Sequence, residues 1–214
     1  MLRTILLSVT LAISLAVPVD AQFNVSPRAG TIGVGGEVGL TLGGSIGVRA
    51  GYGVVPVSYE TQYGGLIYKV SPSSPVMNVG INYFPGLGRL RFGGGLIFVT
   101  RPSEIETEQA GTFEIGGQTY VGDARITGNF DHGSMAPYVI IGFGTPSGSG
   151  LGPFLDVGAA AFGRPDLTLS ATGTATLQPG FGQSLAREAR EAEQDGSAYL
   201  RILPIFSLGF RFGL

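Results

Sequence analysis

The sequence predicts an all-β fold, namely a transmembrane antiparallel up-and-down β-barrel of eight strands. Apolar residues alternate with small or polar residues along several segments, which is the periodicity of a strand with two different faces. Glycine accounts for 37 of the 214 residues, only 13% of the residues are charged, and the mean hydropathy is +0.31. A chain of this composition is too apolar for a disordered protein and too poor in charge for a typical soluble surface.

The N-terminal segment predicts export rather than a membrane anchor. Residues 1–3 are positively charged at Arg3, residues 4–17 are mostly apolar, and Ala21 is a small residue at a cleavage position. This pattern predicts a signal peptide over residues 1–21, cleaved after Ala21, and one barrel domain over residues 22–214. A transmembrane helix needs about 20 apolar residues. Glycine, proline or charge interrupts every later apolar run, so a mature chain that crosses a membrane must do so with strands.

The alternation is clearest over the last sixteen residues, 199–214. One face of this segment is apolar throughout, and the opposite face is mixed and contains Arg201 and Arg211. This pattern predicts a strand with one face towards lipid and the other towards a polar lumen. An ordinary amphipathic edge strand is the alternative. The apolar face contains Leu200, Ile202, Pro204, Phe206, Leu208, Phe210, Phe212 and Leu214.

A hairpin over residues 31–54 provides an internal check on this interpretation. Residues 43–45, Gly-Gly-Ser, form a tight turn between two alternating segments. A three-residue loop pairs Leu42 with Ile46, which places Glu37 and Arg49 as diagonal neighbours on the inward face and predicts an ion pair. The outward face of the first strand is then predicted to hold Ile32, Val34, Val38, Leu40 and Leu42.

Turns and loops divide the remaining chain into strands. Further strands are predicted at residues 64–84, 90–98, 135–143 and 151–171, with short turns at 43–45, 85–88 and 145–150 and longer connections near 59–64, 102–122 and 173–197. Short periplasmic turns and longer external loops alternate in outer-membrane barrels. Seven strands are clear. Because bacterial single-chain barrels have even numbers of strands, an eighth is predicted within residues 22–29, paired with the C-terminal strand.

Two of the longer connections are predicted to contain local structure. A small hairpin around Gly116-Gly117 is predicted within the loop at 102–122. The connection at 173–197 is predicted to hold a short helix, N-capped by Ser184 and lying in an external loop against the barrel rim. The apolar face of this helix contains Leu185, Ala189 and Ala192, and Arg187 and Glu191 are spaced for an i,i+4 ion pair.

The predicted inward faces carry a set of charged residues. Charges inside a narrow barrel must be paired or hydrated, because an unpaired buried charge costs several kcal/mol. Eight strands enclose about enough space for side chains alone, so an ion-pair plug is favoured over a selectivity ring that lines a pore. The set consists of Glu37, Arg49, Arg91, Asp156, Arg201 and Arg211.

The C-terminus resembles the assembly signal of bacterial outer-membrane barrels. Ser207, Gly209, Phe212 and Leu214 have the spacing of that signal, with Leu at the end where Phe or Trp is usual. The predicted signal peptide, the Gly-rich strands and the short inner turns add to this resemblance. Over its whole mature length, the chain resembles the small barrels of the opacity and outer-membrane-protein-A type. The resemblance implies an outer-membrane location, membrane lipids as partners, and the barrel-assembly machinery and periplasmic chaperones during biogenesis.

Little in the sequence points to catalysis. The chain has no cysteine, one histidine, no complete nucleotide-binding motif and a net charge of only −2, so no metal site, cofactor or nucleic-acid partner is predicted. His132-Gly133-Ser134 resembles the His and Ser of outer-membrane lipid A deacylases, but Met135 follows where Asn is usual, and no glutamate lies between Glu114 and Glu188. No catalytic residue is therefore predicted.

These observations predict a non-enzymatic integral outer-membrane protein that stabilises the envelope or presents its loops to the exterior. A narrow channel for small or hydrophobic solutes is one alternative, and a lipid A-modifying enzyme is another. A soluble β-sandwich is the alternative for the fold.

Overall fold

Eight antiparallel strands close into a barrel in the computed structural model, which describes residues 21–63, 65–86, 89–144, 150–164, 166–196 and 201–214. Residues 1–20 of the predicted signal peptide lie outside this part, as do residues 199–200, residues 87–88 of the predicted turn at 85–88 and most of the predicted turn at 145–150. The barrel strands are β1 (Gln22–Gly30), β2 (Val34–Leu42), β3 (Ile46–Val54), β6 (Val76–Tyr83), β7 (Leu90–Val99), β10 (Met135–Gly144), β11 (Gly150–Ala161) and β13 (Ile202–Gly213).

The closure of the barrel confirms the predicted eighth strand. β1 pairs with β13 through Val25 opposite Phe212 and Ala29 opposite Leu208, and its other edge pairs with β2. The predicted register of the first hairpin is also confirmed, because Leu42 lies opposite Ile46. The strands therefore have the up-and-down arrangement that the alternation predicted. No described helix is long and apolar enough to cross a membrane.

The outer surface of the barrel is apolar, as predicted. Glycine and polar side chains face inward on the same strands. Ile32 is an exception, because it lies in the turn between β1 and β2 and its side chain is 4% exposed, packed inside the barrel. The prediction of an outward Ile32 was wrong because the strand begins only at Val34. Exposed outward residues include Val38, Val48, Ile81, Val139, Leu155, Phe206, Leu208 and Phe210.

A second sheet, which the sequence analysis did not predict, stands on one end of the barrel. Its five strands are β4 (Tyr59–Tyr63), β5 (Leu66–Ser71), β8 (Ser103–Ile115), β9 (Gln118–Asp131) and β12 (Asp166–Thr172). They pair in the order β12-β9-β8-β5-β4, and we call the barrel end from which this sheet rises the upper end. The chain enters and leaves the barrel at the opposite, lower end.

This second sheet corrects three predictions of strand extent. The region at 64–84 is two strands in different sheets, and the region at 151–171 is likewise divided between β11 and β12. The predicted small hairpin is centred correctly on Gly116-Gly117, but it spans residues 103–131 in place of a long loop. The hairpin was predicted as part of a loop because the residues on its outer side are polar. Its inner side is apolar, and Phe113, Tyr120 and Ile126 are buried there.

A helix, α1 (Phe181–Gly196), packs against the second sheet after a short 3-10 helix at Thr174–Leu177. It contacts β12 and β8, whereas the sequence analysis predicted that it would lie against the barrel rim. Leu185 and Ala189 are buried on the predicted apolar face. Ser184 lies inside the first turn rather than at the N-cap. Its side chain is 1% exposed and accepts a hydrogen bond from the Tyr120 hydroxyl at 2.9 Å.

Neighbouring glycines on β2 differ in the room that a side chain would have. A Cβ at Gly35 would run into the backbone carbonyl of Tyr52 on β3, whereas a Cβ at Gly36 would meet only the Ser26 carbonyl oxygen at 3.9 Å. Neither glycine has a positive φ, so close strand approach rather than backbone freedom distinguishes them. Strands β2 and β3 thus approach each other too closely at Gly35 for a side chain to fit.

We expect Gly35→Ala to destabilise the folded barrel by about 1–3 kcal/mol, because the added methyl group must push two paired strands apart. Urea titration of the protein in lipid vesicles, followed by the fraction that migrates as folded without heating, measures this loss. Gly36→Ala is the matched control and should unfold like the unsubstituted protein. Equal effects of the two substitutions would contradict the steric explanation.

Candidate functional site

Charged side chains from five strands meet inside the barrel. Glu37 accepts ion pairs from Arg28 and from Arg49, with both nitrogen–oxygen distances at 3.4 Å. A guanidinium nitrogen of Arg49 lies 3.3 Å from a carboxylate oxygen of Asp156. One guanidinium nitrogen of Arg91 lies 2.6 and 2.7 Å from the two carboxylate oxygens of Asp156. All five side chains are at most 4% exposed. We call these five residues the lumen charge network.

Neutral groups complete the surroundings of the arginines. Arg28 donates to the Asn78 side-chain oxygen at 2.6 Å, and Arg49 donates twice to the Tyr138 hydroxyl, at 3.0 and 2.8 Å. Arg91 and Arg211 both lie over the Phe154 ring, with their guanidinium carbons 5.5 and 5.2 Å from its centroid. Hydrogen bonds and ring contacts therefore supplement the two carboxylates, which face four buried guanidinium groups in the described lumen.

The structure brings together four of the six residues in the predicted lumen set, namely Glu37, Arg49, Arg91 and Asp156. Arg211 is buried beside them on Phe154, while Arg201 is half-exposed just before β13 and is not part of the network. Arg28 was missed.

An available pattern could have identified Arg28. Asn24, Ser26 and Arg28 alternate along β1, and all three face the lumen. Asn78 and Tyr138 also contribute to the network although they carry no charge, so a search restricted to charged residues could not find them.

An apolar layer separates the charges from the upper end of the barrel. The small void beside the network measures about 10 Å³, roughly the space of one water molecule. At the level of the network, buried side chains therefore fill the described lumen. The layer comprises Ile32, Val76, Ile97, Ala136, Tyr138, Ile140, Ala160, Phe162 and Ile205.

A much larger cavity, of about 640 Å³, lies above this layer. We call it the upper cavity. Ile32, Ile97 and Phe162 of the apolar layer line it from below, and Tyr68 and Leu169 of the second sheet also line it. Its volume is in the range of small-molecule binding sites. The upper cavity is therefore large enough to hold a small-molecule ligand.

His132 lines the upper cavity between two aromatic rings. Its ring centroid is 5.1 Å from that of Phe130 and 4.9 Å from that of Phe162. Burial lowers the pKa of His132, and Asp131 only partly opposes this effect. The imidazole is therefore mainly neutral at neutral pH.

Among the described residues, no hydrogen bond joins His132 to a Ser or Glu side chain. Its Nδ1 is buried without a hydrogen-bond partner, and no hydrogen bond among the described residues joins its ring to the exposed Ser134. The described residues contain no cluster of three metal-ligating side chains. The resemblance to lipid A deacylases therefore gains no support from the arrangement of this segment.

Solved structures with similar architecture place the barrel among known folds. CarO2 of Acinetobacter baumannii matches with a TM-score of 0.64 and 19% identity, over 90% of this chain and 98% of that chain. The chain therefore shares its fold with CarO2. CarO of the same organism matches this barrel with a TM-score of 0.61 and 20% identity, over 88% and 96% of the two chains. No protein-family model and no curated protein sequence matches. The narrower resemblance to opacity-type barrels stays a prediction.

Proposed function

We propose that the protein is an integral barrel of the bacterial outer membrane whose role is non-enzymatic and does not depend on an open pore. The observation that carries the proposal is an apolar outer surface around a lumen closed by buried ion pairs. In water, a band of exposed residues such as Val139, Leu155 and Leu208 would be an aggregation hazard, whereas in a bilayer it is the lipid-facing surface of a barrel.

The second sheet supports a role at the cell surface. The turn at 43–45 and the strand ends at Tyr83 and Leu90 lie at the lower end, and the second sheet and α1 lie at the upper end. In outer-membrane barrels the shorter turns face the periplasm and the longer connections face outward. We therefore assign the second sheet to the exterior, where it presents a folded surface, and assign the two chain ends of the barrel to the periplasm. Membrane lipids and the barrel-assembly machinery are the partners in this proposal.

We expect the protein to fractionate with outer membranes, to migrate differently on gels before and after heating, and to leave planar bilayers without stepwise conductance. A barrel retains compact mobility until it is unfolded by heat, and the filled lumen leaves no path for hydrated ions. A soluble, heat-insensitive protein would overturn the membrane assignment. Regular conductance steps would instead favour a selectivity ring, and a changed lipid A mass spectrum that depends on His132 would favour an enzyme.

A further inference from the structure

The barrel wall is lower at the β1–β2 hairpin than at its neighbour β13. The ladder between β1 and β13 ends at Gly30 opposite Ser207, and Thr31 closes it by exchanging hydrogen bonds with the Phe206 backbone at 2.9 and 3.0 Å. On its other edge, β13 stays paired with β11 as far as Ile202 opposite Ala161. Residues 202–205 therefore rise above the β1–β2 hairpin, and we call the resulting gap the notch.

The notch joins the upper cavity to the outer surface of the barrel. Thr31 and Ile32, at the top of the hairpin, line the cavity, and so do Ile202 and Pro204. Both of the latter are exposed on the lipid-facing side of β13, with Ile202 at 58%. The lipid-facing wall and the cavity thus meet at the notch, above Thr31 and Ile32.

The lining of the cavity is mainly apolar, and the protein itself satisfies several of its polar groups. Ser73 and Ser103 hydrogen-bond each other at 3.1 Å, and Glu188 accepts the backbone amide of Gly116 at 2.8 Å. Among the buried side-chain polar atoms of the described lining, only His132 Nδ1 lacks a hydrogen-bond partner. An anionic ligand would lose its hydration here without gaining an opposite charge, and a cation would meet only Glu188, whose carboxylate already accepts the Gly116 amide. An uncharged apolar ligand avoids both costs.

We propose that the upper cavity is a binding site for an uncharged, largely hydrocarbon molecule that carries at most one hydrogen-bonding group and enters sideways from the lipid through the notch. This inference rests on the proposed function, because lateral access requires the barrel to lie in a membrane. The apolar layer and the lumen charge network close the cavity from below. The site is thus a pocket with a lateral opening and not the mouth of a pore.

Lateral access is testable with single tryptophans, because the chain contains none. Phe162→Trp places a fluorophore in the cavity floor, Phe210→Trp places one on the lipid-facing wall, and Phe154→Trp places one in the closed lumen. Each variant is inserted into phosphatidylcholine vesicles with ordinary or brominated acyl chains. We expect strong quenching by brominated chains at Phe210→Trp, partial quenching at Phe162→Trp and none at Phe154→Trp.

The outcomes of this experiment separate the two proposals. If Phe162→Trp is quenched by aqueous iodide but not by brominated chains, the cavity is filled with water and the inference is overturned. Quenching of Phe210→Trp by brominated chains in the same experiment would leave the membrane assignment intact. Failure to insert, seen as absent heat-dependent mobility and no quenching at Phe210→Trp, would overturn both.

Occupancy of the cavity is tested with N-phenyl-1-naphthylamine, an uncharged fluorophore with one N–H group. We expect Val99→Phe, which adds bulk to the cavity wall, to weaken saturable binding of this probe about tenfold. Val139→Phe is the matched control, because Val139 is 68% exposed on the outer wall. The affinity of this variant for the probe should equal that of the unsubstituted protein. Equal affinity in both variants, with both folded by gel mobility, would overturn the assignment of the cavity as a binding site.

Discussion

Asp156→Asn is expected to destabilise the folded barrel by about 3–5 kcal/mol, the cost of breaking a buried ion pair by removing one partner. Asp156 is the carboxylate that contacts Arg91, and it shares Arg49 with Glu37. The amide of asparagine has nearly the same shape, so packing changes little. The loss is electrostatic, because the four buried guanidinium groups are then balanced by Glu37 alone.

Urea titration in lipid vesicles, scored by the fraction with folded mobility, measures this change. Glu108→Gln is the matched control, because it removes a carboxylate from an ion pair with Arg125 in which the two side chains are 72% and 58% exposed. Exposed pairs contribute little to stability, so the control should unfold as the unsubstituted protein does. Similar midpoints for Asp156→Asn and the control would show that the lumen is hydrated enough to tolerate the missing charge.

A double substitution separates the charge effect from a loss of packing. In Asp156→Asn, Arg91 keeps its charge without a carboxylate partner, and adding Arg91→Met removes that charge while retaining a long side chain over Phe154. We therefore expect the double variant to be more stable than Asp156→Asn alone. If the two losses simply add, the network does not act as a coupled unit.

The barrel could be predicted from the sequence because each of its strands faces two contrasting environments. Lipid on one side and a crowded lumen on the other impose the alternation seen from Ile46 to Val54, and even strand β1 could be inferred from the rule of even strand number. The second sheet was missed because this contrast is weak there. Its core is small, and residues 103–112 lack a sustained apolar face.

The site shows a similar division between what a pattern specifies and what it does not. Inward charges such as Glu37 and Arg49 follow from strand phase and hairpin register, which are local. The Arg49–Asp156 and Arg49–Tyr138 contacts join residues 107 and 89 positions apart and depend on closure of the barrel. The upper cavity arises where two sheets meet, so no single segment encodes it.

Deletion of residues 212–214 is expected to abolish assembly of the barrel. Phe212 lies between Val25 of β1 and Leu151 of β11, so the deletion removes rungs from both ladders at the closing strand. It also removes the Leu214 amide that donates to the Phe23 carbonyl at 2.8 Å. Unpaired backbone groups are costly in a bilayer. We expect no heat-modifiable form, either in outer membranes or after refolding into vesicles.

The deletion can prevent assembly for two different reasons. A variant that retains residues 212–214 but changes their side chains distinguishes them. Phe212→Ala combined with Leu214→Ala preserves both ladders and removes side chains that are 43% and 77% exposed. If the aromatic ending acts as a recognition signal for the assembly machinery, this variant refolds in vesicles but fails to reach the outer membrane in cells. If the ending acts only by closing the barrel, the variant assembles in both settings and only the deletion fails. Normal assembly of the deletion itself would contradict both roles, since neither the signal nor the last rungs of β13 would then be needed.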